Sequence, residues 1–193
     1  MIIKWDITIP QLSGDQVRKA YVYLPESYEE DPERRYPVMY LFDGHNVFFD
    51  EDATYGTSWG MYDYMEESGK QLILVGIECN REGDGRLREY APVTFEDSEL
   101  GRIEGEGKRY MHWLIKELKP YIDGNFRTLP DRENTLICGS SMGGLMALYA
   151  ATTFNHVFQR AACLSPSLWV APGKMLELIA RAHIRRDTCI YLD

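Results

Sequence analysis

Thr135-Leu136-Ile137-Cys138-Gly139-Ser140-Ser141-Met142-Gly143-Gly144-Leu145-Met146-Ala147-Leu148 changes character abruptly at Ser141. The residues before the serine form a short apolar run suited to a buried strand, and those after it form an apolar run of helix formers. Gly139 to Gly143 spell GxSxG, a pattern that carries meaning only in this strand–turn–helix setting. A serine at such a turn is forced into a disfavoured backbone conformation, at a cost of roughly 1–3 kcal/mol, and its hydroxyl projects from the sheet edge. Gly139 and Gly143 flank the turn because side chains there would meet the adjoining strand and helix. The first N–H groups of the helix lack intrahelical acceptors and carry partial positive charge, so they favour an oxyanion above the serine. Ser141 is the candidate nucleophile, and the Met142 backbone N–H is the first candidate oxyanion donor. The competing reading, a phosphate-binding turn, fails because no lysine follows the glycines and no GxGxxG is present.

Working outward, near-continuous apolar runs recur at Val38–Phe42, Leu72–Ile77, Ala161–Leu164 and Thr188–Leu192, as in strands buried on both faces. Helical patterns separate them at Met61–Ser68, Gly105–Ile122, Met142–Phe154 and Lys174–Ala182. Lys4–Ile9, with Trp5, Ile7 and Ile9 alternating, and Lys19–Leu24 read as additional strands. Strand and helix in alternation predict an α/β fold, a mostly parallel central sheet with helices on both faces. Right-handed crossovers place function at the C-terminal ends of its strands. The 193 residues suit one domain, residues 1–193, with a single large core.

The totals exclude several partners. A net charge of −9 argues against nucleic acid, which demands a basic stripe. No apolar stretch reaches membrane-spanning length, and Lys4 and Asp6 interrupt the N-terminal run where a signal peptide needs an apolar centre. A cytoplasmic location is expected. Cys79, Cys138, Cys163 and Cys189 each lie in or at the end of an apolar run, without CxxC spacing, and read as free core thiols. The four histidines show no metal-ligand spacing, so no metal is expected. Asp50, Glu51 and Asp52 read as a solvated loop rather than a calcium site.

A second oxyanion donor must come from another loop. Asp43-Gly44-His45-Asn46 follows the Val38–Phe42 strand directly, and Gly44 permits close backbone approach, so the His45 backbone N–H is the candidate. An ordinary strand-end turn is the alternative.

Leu41-Phe42-Asp43-Gly44-His45-Asn46-Val47-Phe48 resembles the DGQN-(L/V)-F segment of an esterase family within the α/β-hydrolase superfamily, the group of esterase D, the enterobactin esterases and the feruloyl and acetyl-xylan esterases. Further segments are similar to that family: Gly56-Thr57-Ser58-Trp59-Gly60, Val75-Gly76-Ile77 with Asn80, Arg86-Leu87-Arg88-Glu89-Tyr90-Ala91-Pro92, the Ser141 motif, and Ser165-Pro166-Ser167-Leu168-Trp169. The resemblance runs from about Tyr21 to the last residue. It implies a small-molecule carboxylic-ester substrate, an acyl-enzyme on Ser141 and no cofactor. It also implies substrate-pocket positions at Asn46, Trp59 and Trp169, with core anchoring as the alternative for the two tryptophans. His45 departs from the family glutamine, which matters little if only its backbone acts. The Arg86, Glu89 and Tyr90 group reads as a structural ion-pair and packing motif.

The base and acid of a triad should follow Ser141 in the order acid, then histidine. His156 and His183 follow it but fall at helix ends on the opposite sheet edge, and His112 lies on a helix face before it. The resemblance implies a D-x-G-x-x-(E/D) turn opening at Asp193, then a helix, a strand and the catalytic histidine. The expectation is therefore a C-terminally incomplete domain whose acid and histidine lie beyond residue 193, with low activity by itself. Its last strand would then be an open edge, suited to homo-oligomer formation or sheet-edge pairing. A thioesterase or peptidase on the same fold, and a non-catalytic domain that kept only the elbow, are the rival readings.

Overall fold

The strands and helices were located in a computed structural model that describes residues 1–193. Nine strands form, numbered β1 (Ile2–Thr8), β2 (Val17–Tyr23), β3 (Val38–Phe42), β4 (Ile73–Ile77), β5 (Phe95–Asp97), β6 (Gly101–Ile103), β7 (Thr135–Ser140), β8 (Arg160–Leu164) and β9 (Cys189–Leu192). Seven of them make one sheet in the order β1-β2-β4-β3-β7-β8-β9. β1 and β2 run antiparallel to each other, β2 runs antiparallel to β4, and every pair from β4 to β9 is parallel. The expected α/β architecture with a mainly parallel sheet is the one observed.

The two-residue period of the strands builds a core on each face. Val38, Tyr40 and Phe42 of β3, with Ile73, Val75 and Ile77 of β4, join the larger cluster. Leu41 and Leu74, pointing the other way, join the smaller one with Tyr21 and Tyr23. The Met142–Thr153 helix lies on the larger side and is buried along nearly its whole length, which is why its sequence is apolar all round. Met65 of the Met61–Ser68 helix covers the smaller side.

Three differences from the sequence expectation have physical causes. The helix expected over Gly105–Ile122 starts at Gly107, passes through a π-helical turn at Leu114–Leu118 and resumes over Lys119–Asn125. Pro120 sits at the start of that last stretch, and a proline has no N–H to donate to the preceding turn, so the ladder widens there. The β5–β6 hairpin lies outside the sequence expectation, because its two three-residue strands carry Glu96, Asp97 and Arg102 and offer no hydrophobic period. β9, expected to be buried on both faces, is exposed at all four residues, since it pairs only with β8 and forms the sheet edge. Cys189 is exposed with it, unlike buried Cys79, Cys138 and Cys163. Burial pushes the Cys138 thiol up to about 11 and that of Cys163 up to about 12, which keeps both protonated and inert. No helix is long and apolar enough to cross a membrane.

The loop after β4 is tied to β2 by a buried ion pair. Arg18 Nη1 donates to Glu89 Oε2 at 2.8 Å, and both side chains are almost fully enclosed. Glu89 Oε2 also accepts the Asn80 backbone N–H at 3.1 Å, which fixes the start of that loop. Glu89→Ala leaves an uncompensated buried guanidinium, so it should cost about 3–5 kcal/mol of stability, read from the midpoint of urea denaturation.

Candidate active site

β3, β4 and β7 are adjacent and parallel, with Phe42 opposite Ile77 and Leu41 opposite Cys138. Their C-terminal ends are therefore level, and the loops that leave them stand side by side. Ser141 occupies the turn between β7 and the Met142–Thr153 helix with φ 58° and ψ −120°, a conformation that L-residues avoid. Three backbone hydrogen bonds hold it there. Ser141 N–H donates to Leu164 O at 2.9 Å, while Leu145 N–H and Ser167 N–H both donate to Ser141 O at 3.0 Å. Gly139 is required by close approach: a Cβ there would stand 2.4 Å from the backbone C and O of Gly143. Ser141 itself is exposed, and its Oγ lies 3.2 Å from Ser167 Oγ.

The turn after β3 stands opposite. Asp43 adopts a left-handed conformation, φ 55° and ψ 46°, and Gly44–Asn46 form a single 3-10 turn. Gly44 packs on the backbone of β4 so closely that a Cβ would fall 2.4 Å from Gly76 C and Ile77 N. Arg86 clamps the Asp43 carboxylate through two hydrogen bonds of 2.8 Å, and Tyr90 Oη accepts the Asp43 N–H at 3.0 Å. With Glu89 on Arg18, the Arg86-to-Tyr90 segment thus has the structural role expected of it. Arg86 does more than expected, because it also lines the cleft.

An open cleft of about 490 Å³ joins these loops. Ser141 shares it with His45 and Asn46, with Thr54 and Tyr55 of the next loop, and with Cys79, Asn80, Arg81 and Arg86 beyond β4. The His45 side chain is buried; its Nε2 lies 3.0 Å from Thr54 Oγ1, while Nδ1 is enclosed without a partner. Burial holds its imidazole below the usual histidine range, so it stays neutral near pH 7. Asn46 lines the cleft, but its Oδ1 accepts the Thr54 N–H at 2.9 Å and so braces the loop.

The two tryptophans do not line this cleft. Trp59 packs against the smaller core cluster, where its backbone N–H donates to Asn46 O at 2.8 Å. Trp169 is 54% exposed, stands edge-on to Phe95 with centroids 6.0 Å apart, and borders a separate cleft with Lys174. His112, His156 and His183 are exposed and outside the Ser141 cleft, as expected. Sequence reasoning missed Thr54, Cys79, Asn80 and Arg81. Cys79 read as a core thiol because it ends an apolar run; the usable signal was its place just past the C-terminal end of β4.

Residues 13–190 match the model of the family described as "Putative esterase". The chain belongs to this esterase family. YbbA, an uncharacterized protein of Bacillus subtilis, is 25% identical over 79% of the chain and 58% of its own length. Esterase Rv1288 of Mycobacterium tuberculosis is 30% identical over 70% of the chain and 26% of its own length. Among solved structures, an IroE-like serine hydrolase from Shewanella oneidensis superposes with a TM-score of 0.72 at 25% identity, covering 93% of this chain and 55% of that one. The chain spans little more than half the length of these last-named and first-named relatives.

The close approach at the elbow is testable. Gly139→Ala must push the β7 strand and the helix apart against backbone rather than side-chain atoms. It should lower stability by at least about 1–3 kcal/mol, measured by thermal denaturation.

Proposed function

We propose that this chain acts on carboxylic esters by nucleophilic catalysis, with Ser141 forming an acyl-enzyme that water then releases. The observation that carries this reading is the backbone of Ser141, strained at φ 58° while its hydroxyl faces an open cleft. Strain of this kind persists where the surrounding structure enforces it, and it clusters at reactive sites. Ser141 Oγ attacks the acyl carbonyl carbon and the carbonyl oxygen becomes an oxyanion; the carbonyl then re-forms as the bond to the alcohol oxygen breaks, and the alcohol leaves with the proton that the serine hydroxyl gave up. Met142, at the helix N-terminus, and His45, in the first turn after β3, would offer their backbone N–H groups to that oxyanion. In a comparable protease the loss of one such donor costs about 3–4 kcal/mol of transition-state stabilisation.

The cleft walls favour small or polar substrates. Asn46, Thr54, Asn80, Arg81 and Arg86 make most of the walls, and Tyr55 and Cys79 are the two apolar side chains that a long alkyl chain would meet. Each methylene buried in a matching apolar pocket is worth about 0.8 kcal/mol. Lengthening a p-nitrophenyl ester from acetate to decanoate should therefore bring no rise in kcat/KM.

A second reading rests on what surrounds the hydroxyl. Its polar neighbour is Ser167 Oγ, and His45, the one histidine in the cleft, turns its Nε2 to Thr54. These 193 residues thus favour a nucleophile without a proton acceptor on it. In a comparable protease, loss of the base costs roughly a million-fold in turnover.

A fluorophosphonate probe and p-nitrophenyl acetate separate the readings. The wild-type chain should be labelled, slowly, and Ser141→Ala should not; equal labelling of both would refute the nucleophile. Hydrolysis by the 193-residue chain should be faint. Vigorous turnover lost in His45→Gln would instead identify His45 as the base.

A further inference from the structure

We propose that Asp43, His45 and Cys79 form a binding site for a thiophilic divalent cation, zinc in the first instance, on the wall of the Ser141 cleft. The three residues lie far apart in sequence, and the parallel register of β3 on β4 brings them together. A carboxylate oxygen, an imidazole nitrogen and the thiol sulfur all lie within 4.8 Å of one another, and all three residues are buried. His45 and Cys79 line the cleft, so an ion has a path from solvent.

The second observation is the orphaned ring nitrogen. His45 Nδ1 is buried without any hydrogen-bond partner, while Nε2 lies 3.0 Å from Thr54 Oγ1. A ligating histidine commonly has its other nitrogen held by a neighbouring group, which fixes tautomer and ring orientation. Thr54 takes that part here and leaves the Nδ1 lone pair free. A buried polar atom left unpaired is uncommon and calls for a reason.

Asp43 remains competent although Arg86 holds it. An ionised carboxylate has about four lone-pair positions, and the two hydrogen bonds from Arg86 use one on each oxygen. Hydrogen bonding to a ligating carboxylate from behind is the usual supporting arrangement. One oxygen, one nitrogen and one sulfur donor suit zinc, whereas magnesium and calcium prefer oxygen alone. Three protein ligands leave a fourth position open to the cleft. Zinc–ligand bonds of about 2.0–2.3 Å place tetrahedral donors roughly 3.5 Å apart, so donors that all lie within 4.8 Å of one another need draw in by little more than about 1 Å at most. The Cys79 thiol gives its proton to solvent as the sulfur–metal bond forms.

Cobalt(II) reports such a site directly, because a thiolate ligand gives a charge-transfer absorption. Titration should be run on Ser141→Ala, which frees the result from ester hydrolysis. The expected outcome is one equivalent of cobalt bound with the thiolate band, displaced by zinc. On that background Cys79→Ser should abolish the band, and His45→Gln should weaken binding at least about tenfold. Cys189→Ser, which removes the exposed thiol, should change nothing. Circular dichroism establishes that each variant is folded. If Cys79→Ser fails to fold, His45→Gln decides alone, since it replaces one polar side chain with another of similar size. Absence of the band on the Ser141→Ala background, a band that survives Cys79→Ser, or binding lost only in Cys189→Ser would overturn the site. Cobalt binding without fluorophosphonate labelling of the wild type would uphold it while refuting the serine nucleophile.

Discussion

One backbone crossing governs the functional edge of this protein. β7 must turn into the Met142–Thr153 helix within a single residue, and the returning helix passes so near the strand that Gly139 and Gly143 touch through their backbones. No ordinary conformation of Ser141 satisfies both directions, so it takes φ 58°. The bonds from Leu164, Leu145 and Ser167 hold it there. Because they come from β8, from the helix and from the loop after β8, the strain is distributed over three elements rather than stored in one turn.

The opposite wall depends on charge in place of backbone contact. Asp43 is left-handed and buried, and Arg86 and Tyr90 neutralise and anchor it. Glu89, on the same short helix, reaches Arg18 on β2. Two neighbouring ion pairs thus staple the loop after β4 to β3 and to β2. Such pairs contribute little net stability compared with apolar groups of the same shape, but removing one partner is costly. Their effect here is placement: they determine where His45, Cys79 and Asn80 stand relative to Ser141.

The elbow was legible in the sequence because it depends on neighbours in the chain. Strand period, glycine spacing and helix period all changed within a few residues of Ser141, and the parallel sheet followed from the alternation of strand and helix. The histidines at 112, 156 and 183 were also readable as surface groups, since each falls on a helix or beside its end. The β5–β6 hairpin, the π-helical turn before Pro120 and the exposure of β9 were not readable from hydrophobic pattern. The first is too short for a period. The second turns on a single missing donor at Pro120, and the apolar face of Tyr110, Trp113, Leu114, Leu118 and Tyr121 runs through it without a break in period. The third depends on which strands lie beside β9, and composition does not record that.

The sequence by itself thus determined the sheet, the elbow and the serine, because each is encoded by residues adjacent or periodically spaced along the chain. Only the tertiary structure decided the cleft. It set Trp59, half-buried, against the smaller core cluster and Trp169 beside another groove, and it gathered Asp43, His45, Cys79 and Arg86 around Ser141. That gathering follows from β3, β4 and β7 lying side by side with level ends, a relation between strands separated by tens of residues. Strand order is set by how whole faces bury one another, so no local stretch of sequence contains it.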